Sequence, residues 1–549
     1  MKTFLKLSVF SFLVMFFSSC GKKNEVGKMI PDNAIFVAQV NLKSLSNKLS
    51  WKEIQQTEIY KKFASDSSMM GWTKKILEDP STSGIDFDNG LVFFTATHNQ
   101  KKYLAAEGKI KSENDFLQFN KNFAETATPT KEGEINLLKL KENNVVGWNS
   151  DHFIYIMNPE NSDYHFSKWK GDQKNMDNPP PADRSVEYAA LCKNLFSLKT
   201  DSSLAKNDKF GTLLKENGDM NIYQNTDALI NTSNLGMLGM LKLDAFLKGN
   251  LSTYTIEFEK GKIDVSQKIY VSKELTDIVK KNLGGNINMD MIKKIPTDDV
   301  LGVMAANFKA AGITEMIKLT GMDGMINSYT QSMGFNLDDF SNATNGDWLI
   351  AFTDLNISPD SNKINPEFHY LFSSGVGNKS NLNKLMAAAK KTTGELGKDS
   401  MLNFETNEKL FAMSNSSSFA NEYLNGNANK NFGFDKELSG HPVAFYFDIH
   451  KILSQFSTVA NKKPNRKEMI DQSLNFWNNI ISTGGEFSGG GFTFHTNVNL
   501  MNKDSNSLPQ LSNYLNQLYI IHEKEKAETS NMDQRLDSLL VAPPVDTVK

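Results

Sequence analysis

Apolar residues in this chain recur with two periods. Tyr254, Ile256 and Phe258 fall on alternate positions, and Ile263, Val265, Ile269 and Val271 alternate likewise after Lys260-Gly261. Period two belongs to a strand with one face toward a core, and Lys-Gly between two such runs predicts a hairpin. Alternation of this kind predicts largely antiparallel sheets with one buried and one solvated face. Elsewhere the spacing is helical. Ser50-Trp51-Lys52-Glu53 has the capping-box form, ahead of Ile54, Ile59 and Phe63. Ser112-Glu113-Asn114-Asp115 opens a second helix with Phe116, Phe119 and Phe123 on one face.

The pattern repeats. Ile35–Lys43 (IFVAQVNLK) and Leu301–Lys309 (LGVMAANFK) align at an offset of 266, which pairs Val37 with Val303, Asn41 with Asn307 and Lys43 with Lys309. Ile30-Pro31 recurs as Ile295-Pro296, one residue out of step. Met220–Ile230 matches Val443–Leu453, with Tyr223 opposite Tyr446 and Asn225 opposite Asp448. Leu91–Phe94 resembles Trp348–Phe352, and the hairpin near Thr253–Val271 answers Gly490–Leu500. Each beat reads as strand, Asn or Asp, helix, then at least two strands. The sequence therefore predicts an α+β protein of two related halves, 29–284 and 294–519, each with two strand-helix-strand-strand beats. Asn178-Pro179-Pro180-Pro181 breaks any regular element and marks a loop in the first half. Residues 520–549 turn charged and end in Pro543-Pro544, which predicts a helix followed by a loose tail.

The amino terminus adds a compartment. Lys2 and Lys6 precede an apolar run, Leu7–Phe17, too short to span a bilayer and suited to an export signal. The run ends in Ser18-Ser19-Cys20-Gly21. Small residues before a cysteine are what a lipoprotein signal peptidase accepts, and the free Cys20 thiol can carry diacylglycerol. Residues 1–19 thus read as the signal, 20–28 as a lipid-anchored linker, and Cys20 as the lipidation site. Gly21 rather than Asp at the second mature position is compatible with outer-membrane sorting. Lys22-Lys23-Asn24-Glu25 is not an acidic surface-export tag, which favours the periplasmic face.

Composition narrows the class further. The 549 residues exceed one ordinary domain, and 39% hydrophobic content with 10% aromatics excludes wholesale disorder. A net charge of −3, which becomes −5 when Lys2 and Lys6 leave with the signal, gives no basic footprint for nucleic acid. The second cysteine, Cys192, has no intrachain partner once Cys20 is acylated, and its apolar helical setting predicts a buried thiol.

Candidate chemistry is sparse. Tyr446, Asp448 and His450 would share a strand face, but their counterparts Tyr223, Asn225 and Asp227 include no histidine. The recurring Asn41, Asn225, Asn307 and Asp448 are read as helix N-caps. His98, His152, His165, His369, His441, His450, His495 and His522 form no metal-binding spacing. Asp86-Phe87-Asp88-Asn89-Gly90 begins like a calcium loop but has Gly too early and Thr97 where the bidentate Glu belongs, so it reads as a turn. Gly484–Gly491 lacks the Lys-Ser/Thr of a phosphate loop and predicts a bulge or close backbone approach. Met237, Met240, Met289, Met291, Met322 and Met325 read as core filler. No catalytic, cofactor or metal site is assigned.

With Cys20, Ile30-Pro31-x-x-Ala34 and the strand-Asn-helix beats in place, the chain resembles a family of uncharacterised Bacteroidetes lipoproteins defined by a domain of unknown function. That resemblance implies a two-half α+β lipoprotein and supplies no catalytic residues. The expected function is non-enzymatic binding or scaffolding at the outer membrane, with the membrane and either an envelope protein or an apolar ligand as partners. A periplasmic, hydrolase-like enzyme with a site assembled between the halves and a carrier with a Phe- and Met-lined cavity are the alternatives.

Overall fold

The computed structural model describes residues 26–65, 77–125, 128–159, 183–231, 247–357, 366–395, 402–460 and 464–540. Cys20, the 1–19 signal, Asn178–Pro181, His165, Met237, Met240 and the tail after Leu540 lie outside the described residues. The fold is α+β, and every registered strand pair is antiparallel. Two compact units divide the chain, one holding residues 1–40, 81–217 and 221–228, the other 41–80, 218–220 and 229–549.

The first unit carries β1 (Phe36–Val40), β2 (Leu91–His98), β3 (Lys101–Lys109), β4 (Thr130–Glu132), β5 (Ile135–Lys139), β6 (Val145–Trp148), β7 (His152–Met157) and most of β8 (Met220–Asn225). Their order in the sheet is β8-β1-β2-β3-β7-β6-β5-β4. The second unit holds β9 (Leu251–Glu259), β10 (Lys262–Tyr270), β11 (Val300–Asn307), β12 (Thr344–Ile357), β13 (Pro366–Val376), β14 (Asn403–Thr406), β15 (Leu410–Ser414), β16 (Val443–Asp448), β17 (Trp477–Ser488) and β18 (Gly491–Leu500). Here the order is β9-β10-β18-β17-β16-β11-β12-β13-β15-β14. The run β16-β11-β12-β13-β15-β14 reproduces β8-β1-β2-β3-β7-β6.

The repetition extends to register. Gln39 faces Val92, and 266 residues on Ala305 faces Leu349. Ala105 faces Phe94 as Leu371 faces Ala351. A one-residue slip would turn every side chain to the other face, so shared register means that the same positions point into each core. Ile30 and Ala34, from the Ile-Pro-x-x-Ala opening, are fully buried, as are Ile295 and Val303 in the second repeat.

Helices join these strands at capped ends. In the second unit α1 (Leu42–Lys48), α2 (Trp51–Gln55) and α3 (Glu58–Ala64) start at Asn41, Ser50 and Thr57, with the Ser50–Glu53 capping box formed. In the first, α4 (Glu113–Lys121) starts at Ser112, and α5 (Ser185–Phe196) packs on β6. The second repeat places α6 (Ala310–Thr320) and α7 (Asp323–Ser332) after β11, α8 (Ile449–Ala460) after β16 and α9 (Ser507–Leu540) at the end. The last helix therefore begins inside the stretch read as the second half, capped by Asn506, whose side chain accepts from Leu508 N at 2.9 Å.

Two sequence expectations need correction. Asn307 caps no helix. The strand continues through it, α6 begins after Lys309, and the Asn307 amide donates to Asp347 at 2.8 Å. The β9–β10 hairpin turns at Lys260-Gly261 as expected, but its alternation does not divide into an apolar core face and a wet face. Leu251, Thr253, Thr255 and Tyr270 are its buried positions, while Tyr254, Ile256 and Phe258 are half-buried and α9 packs against β9. The glycine run lies at the far end of β17 and in the turn to β18, where the first repeat has Glu259–Gly261. The predicted bulge is there, at Gly484 to Glu486, and a Cβ on Gly484 would sit 2.3 Å from the Thr493 carbonyl oxygen.

Candidate functional site

The Tyr446 constellation resolves into structure first. The Tyr446 hydroxyl donates to Asp448 Oδ2 at 2.8 Å, and Asp448 Oδ1 accepts the Lys451 amide at 2.8 Å, capping α8. His450 takes no part, and its Nδ1 lies 3.1 Å from the Leu474 carbonyl. Asn41 and Asn225 cap in the same way, accepting from Ser44 at 3.1 Å and Ala228 at 3.0 Å. Tyr446 stacks on Phe434 as Tyr223 packs on Phe210. The Tyr446 phenol is pushed further up from its ordinary value by burial, with the Asp448 carboxylate adding to the effect. A phenol held neutral and donating to a capping carboxylate is a packing device with no spare proton near neutral pH. The cleft of about 380 Å³ beside it is rimmed by Asp298, Glu437, Lys451 and Lys503. Lys451 is engaged by Asp299 at 3.5 Å.

Other singled-out residues also have local partners. Asp86 accepts from Asp88 N and Asn89 Nδ2 in a tight turn ending at Gly90. His369 lies 3.3 Å from Asp354 and His441 2.7 Å from Glu486. Among the described residues no three His, Cys, Asp or Glu side chains group to hold a metal, and no helix is long and apolar enough to cross a membrane. Met291 is buried and Met289 packs on the core, but Met325 is 62% exposed, against its reading as core filler. Cys192 is fully buried, its thiol is pushed up to about 12 by burial, and a Cβ on Gly147 would lie 2.3 Å from its Sγ. In a Cys20→Ala chain, thiol reagent at neutral pH is expected to label nothing until denaturant is added.

The larger cavity is in the first unit, where sequence reasoning assigned nothing. It holds about 600 Å³ between α5 and the β4–β5–β6 end of the sheet. Leu137, Leu138 and Val145 form its floor, and Val186, Ala189 and Ala190 its helical wall. One helix serves two surfaces. Tyr188, Leu191, Cys192 and Leu195 bury into the core, while Val186, Ala189 and Ala190 face the slot, with Val186 left 85% exposed. Helical spacing i, i+3, i+4 was the available signal, obscured because α5 is apolar on both sides. The rim is charged. Lys193 pairs with Glu132 at 2.7 Å, and Lys139 pairs with Glu125 at 2.9 Å and Asp183 at 3.0 Å. Hydrogen bonds from Ser185 and Lys139 hold the Asp183 carboxyl down at about 2. The slot exists because the β4–β5 hairpin extends the sheet beyond β6, and β14, the β6 counterpart, gains no such neighbour among the described residues. Its apolar lining is Leu, Val and Ala, with Thr128, Thr130, Ser185 and Asn194 beside it and no Phe or Met among the described residues.

One buried acid in this unit is ionisable in a useful range. Glu107 on β3 is 5% exposed, its Oε2 has no hydrogen-bond partner, and burial raises its pKa from 4.5 to about 8. Between those values the folded chain keeps a proton that the unfolded chain has released, so stability falls as pH rises through this window, by at most about 1.4 kcal/mol per pH unit. Glu107→Gln is expected to remove that slope, which unfolding free energies at several pH values between 5 and 8 would check. Parallel slopes in wild type and variant would contradict it.

With this geometry in place, comparison with known proteins gives one match. Residues 27–173 match the model of a domain of unknown function, DUF4836, which spans β1 to β7 and the slot floor but not α5. No curated protein and no solved structure matches the chain.

Proposed function

We propose that this chain is a lipid-anchored binding protein of the cell envelope, held through Cys20 at the periplasmic face of the outer membrane and acting by capture rather than catalysis. The observation that carries the binding reading is the slot. An apolar floor and wall flanked by ion pairs suits a partner that inserts aliphatic side chains and meets charge at the rim. The anchor rests on Lys2, Lys6, the Leu7–Phe17 run and Ser18-Ser19-Cys20-Gly21. The resemblance of Ile30-Pro31-x-x-Ala34 to the opening of Bacteroidetes lipoproteins supports the same reading. The ligand is an apolar segment of another envelope protein.

The test is a slot-filling substitution. Ala190 is exposed in the slot wall, so Ala190→Trp fills the cavity without entering the core. Affinity capture from solubilised envelopes is expected to recover a partner with the wild type and to lose it with Ala190→Trp, at an unchanged melting temperature. Equal recovery by both proteins would remove the slot from function.

A further inference from the structure

In the first unit α5 covers only part of the sheet beneath it. It packs on β5, β6 and β7, centred over β6, where Cys192 Sγ sits above Gly147. β5 and β4 carry the sheet beyond the helix. Their slot-side residues alternate, Thr130 and Glu132 on β4 and Leu137 and Lys139 on β5. Paired strands stand about 4.8 Å apart, so β4 lies about 10 Å to the side of β6. Two packed helices have axes about 8–10 Å apart. The uncovered strip therefore has the width of one helix lying beside α5. The wall has the matching form. Val186, Ala189, Ala190 and Lys193 follow the i, i+3, i+4, i+7 stripe of a helix face, and the two alanines at its centre let a neighbouring backbone come close.

We propose that the segment captured by the slot is an amphipathic α-helix, laid alongside α5 with an aliphatic stripe against Leu137, Val145, Ala189 and Ala190; this rests on the reading of the slot as the binding site. Three observations favour a helix over an extended segment or a bare hydrocarbon chain. The first is backbone hydrogen bonding. β5 is paired with β4 on one side and β6 on the other, and the middle of α5 bonds within its own helix. Floor and wall therefore have no free amide or carbonyl to offer. An extended chain laid on them would bury its own groups unpaired, whereas a helix satisfies its backbone internally. Among the described residues β4 has a registered partner on one side only. A strand added at its outer edge would widen the floor without filling the slot. The second is length. From Val186 to Asn194 the wall rises about 12 Å, roughly two helical turns. The third is charge. Lys193 with Glu132 marks one end, and Lys139 with Glu125 and Asp183 marks the other, where the two acids exceed the one base. Basic residues flanking an apolar helical stripe meet that excess, and a hydrocarbon chain leaves it unmet.

The experiment compares two fluorescent peptides of about 14 residues and identical composition, Ala- and Lys-rich with Leu at helical spacing. One is held helical by a side-chain lactam on its polar face, because a free peptide of that length is marginally helical. The other has two central alanines of opposite chirality, which break a right-handed helix without changing apolarity. Fluorescence anisotropy with the mature chain carrying Cys20→Ala is expected to show the helical peptide binding at least tenfold tighter than the broken one. Ala190→Trp should weaken the helical peptide about tenfold, and Val186→Asn, which adds polarity without bulk, severalfold. Both positions are exposed, so melting temperatures should not change. Equal binding of the two peptides, or no binding of the helical one at about 1 mM, overturns the helical partner. So does a helical peptide that binds Ala190→Trp as it binds the parent, since it then sits elsewhere. Capture from envelopes judges the slot separately. A partner lost with Ala190→Trp beside a failed helical peptide would leave the slot standing and remove the helix alone.

Discussion

Phe116→Ala is expected to cost about 3–5 kcal/mol, the largest effect of any single truncation considered for the first unit. Phe116 is fully buried and central to a ring cluster, stacked on Phe153 at 5.0 Å and edge-on to Trp148 at 5.8 Å. Truncation removes the transfer free energy of the ring and leaves a cavity that its neighbours cannot close. α4 is also held rigidly from behind, since a Cβ on Gly84 would lie 2.4 Å from Phe116 N and the Ser112 carbonyl. Denaturant unfolding should show the loss, and a cost under 1 kcal/mol would mean that the cluster repacks freely.

Asp448→Ala is the second large effect, at about 2–4 kcal/mol. The carboxylate does two things at once. Losing the acceptor for Lys451 N removes the cap of α8, which costs about 0.5–2 kcal/mol. Losing the acceptor for the Tyr446 hydroxyl strands a buried donor, which costs a further 1–3 kcal/mol. Asp448→Asn keeps an oxygen for the cap and should cost less than half as much. Asn225→Ala removes only a cap and should cost about 1 kcal/mol. If Asp448→Asn were as damaging as Asp448→Ala, negative charge rather than capping would be what the position needs.

These residues show where the sequence was informative. The offset of 266 came from three identities, yet it carried β1 and β3 onto β11 and β13, with β2 falling on β12 at an offset of 257, because strand period and face are written in local alternation. Caps were legible at Asn41, Asn225 and Asp448 for the same local reason. Asn307 looked identical but is recruited by Asp347, forty residues away, and no local rule reveals that choice. The slot was hidden because it forms between a hairpin and a helix about fifty residues apart, and its wall uses the second apolar side of α5. Phe63 and Met325 have the spacing of core residues, so only the fold separates exposed from buried.

The anchored-capture account is tested most directly at Cys20. Cells expressing the wild type or Cys20→Ala are fed an alkyne fatty acid, and the tagged chain is isolated from separated membranes. The account predicts label on the wild type in the outer-membrane fraction and none on Cys20→Ala. Equal labelling of both chains, or an unlabelled wild type in the soluble fraction, would contradict it.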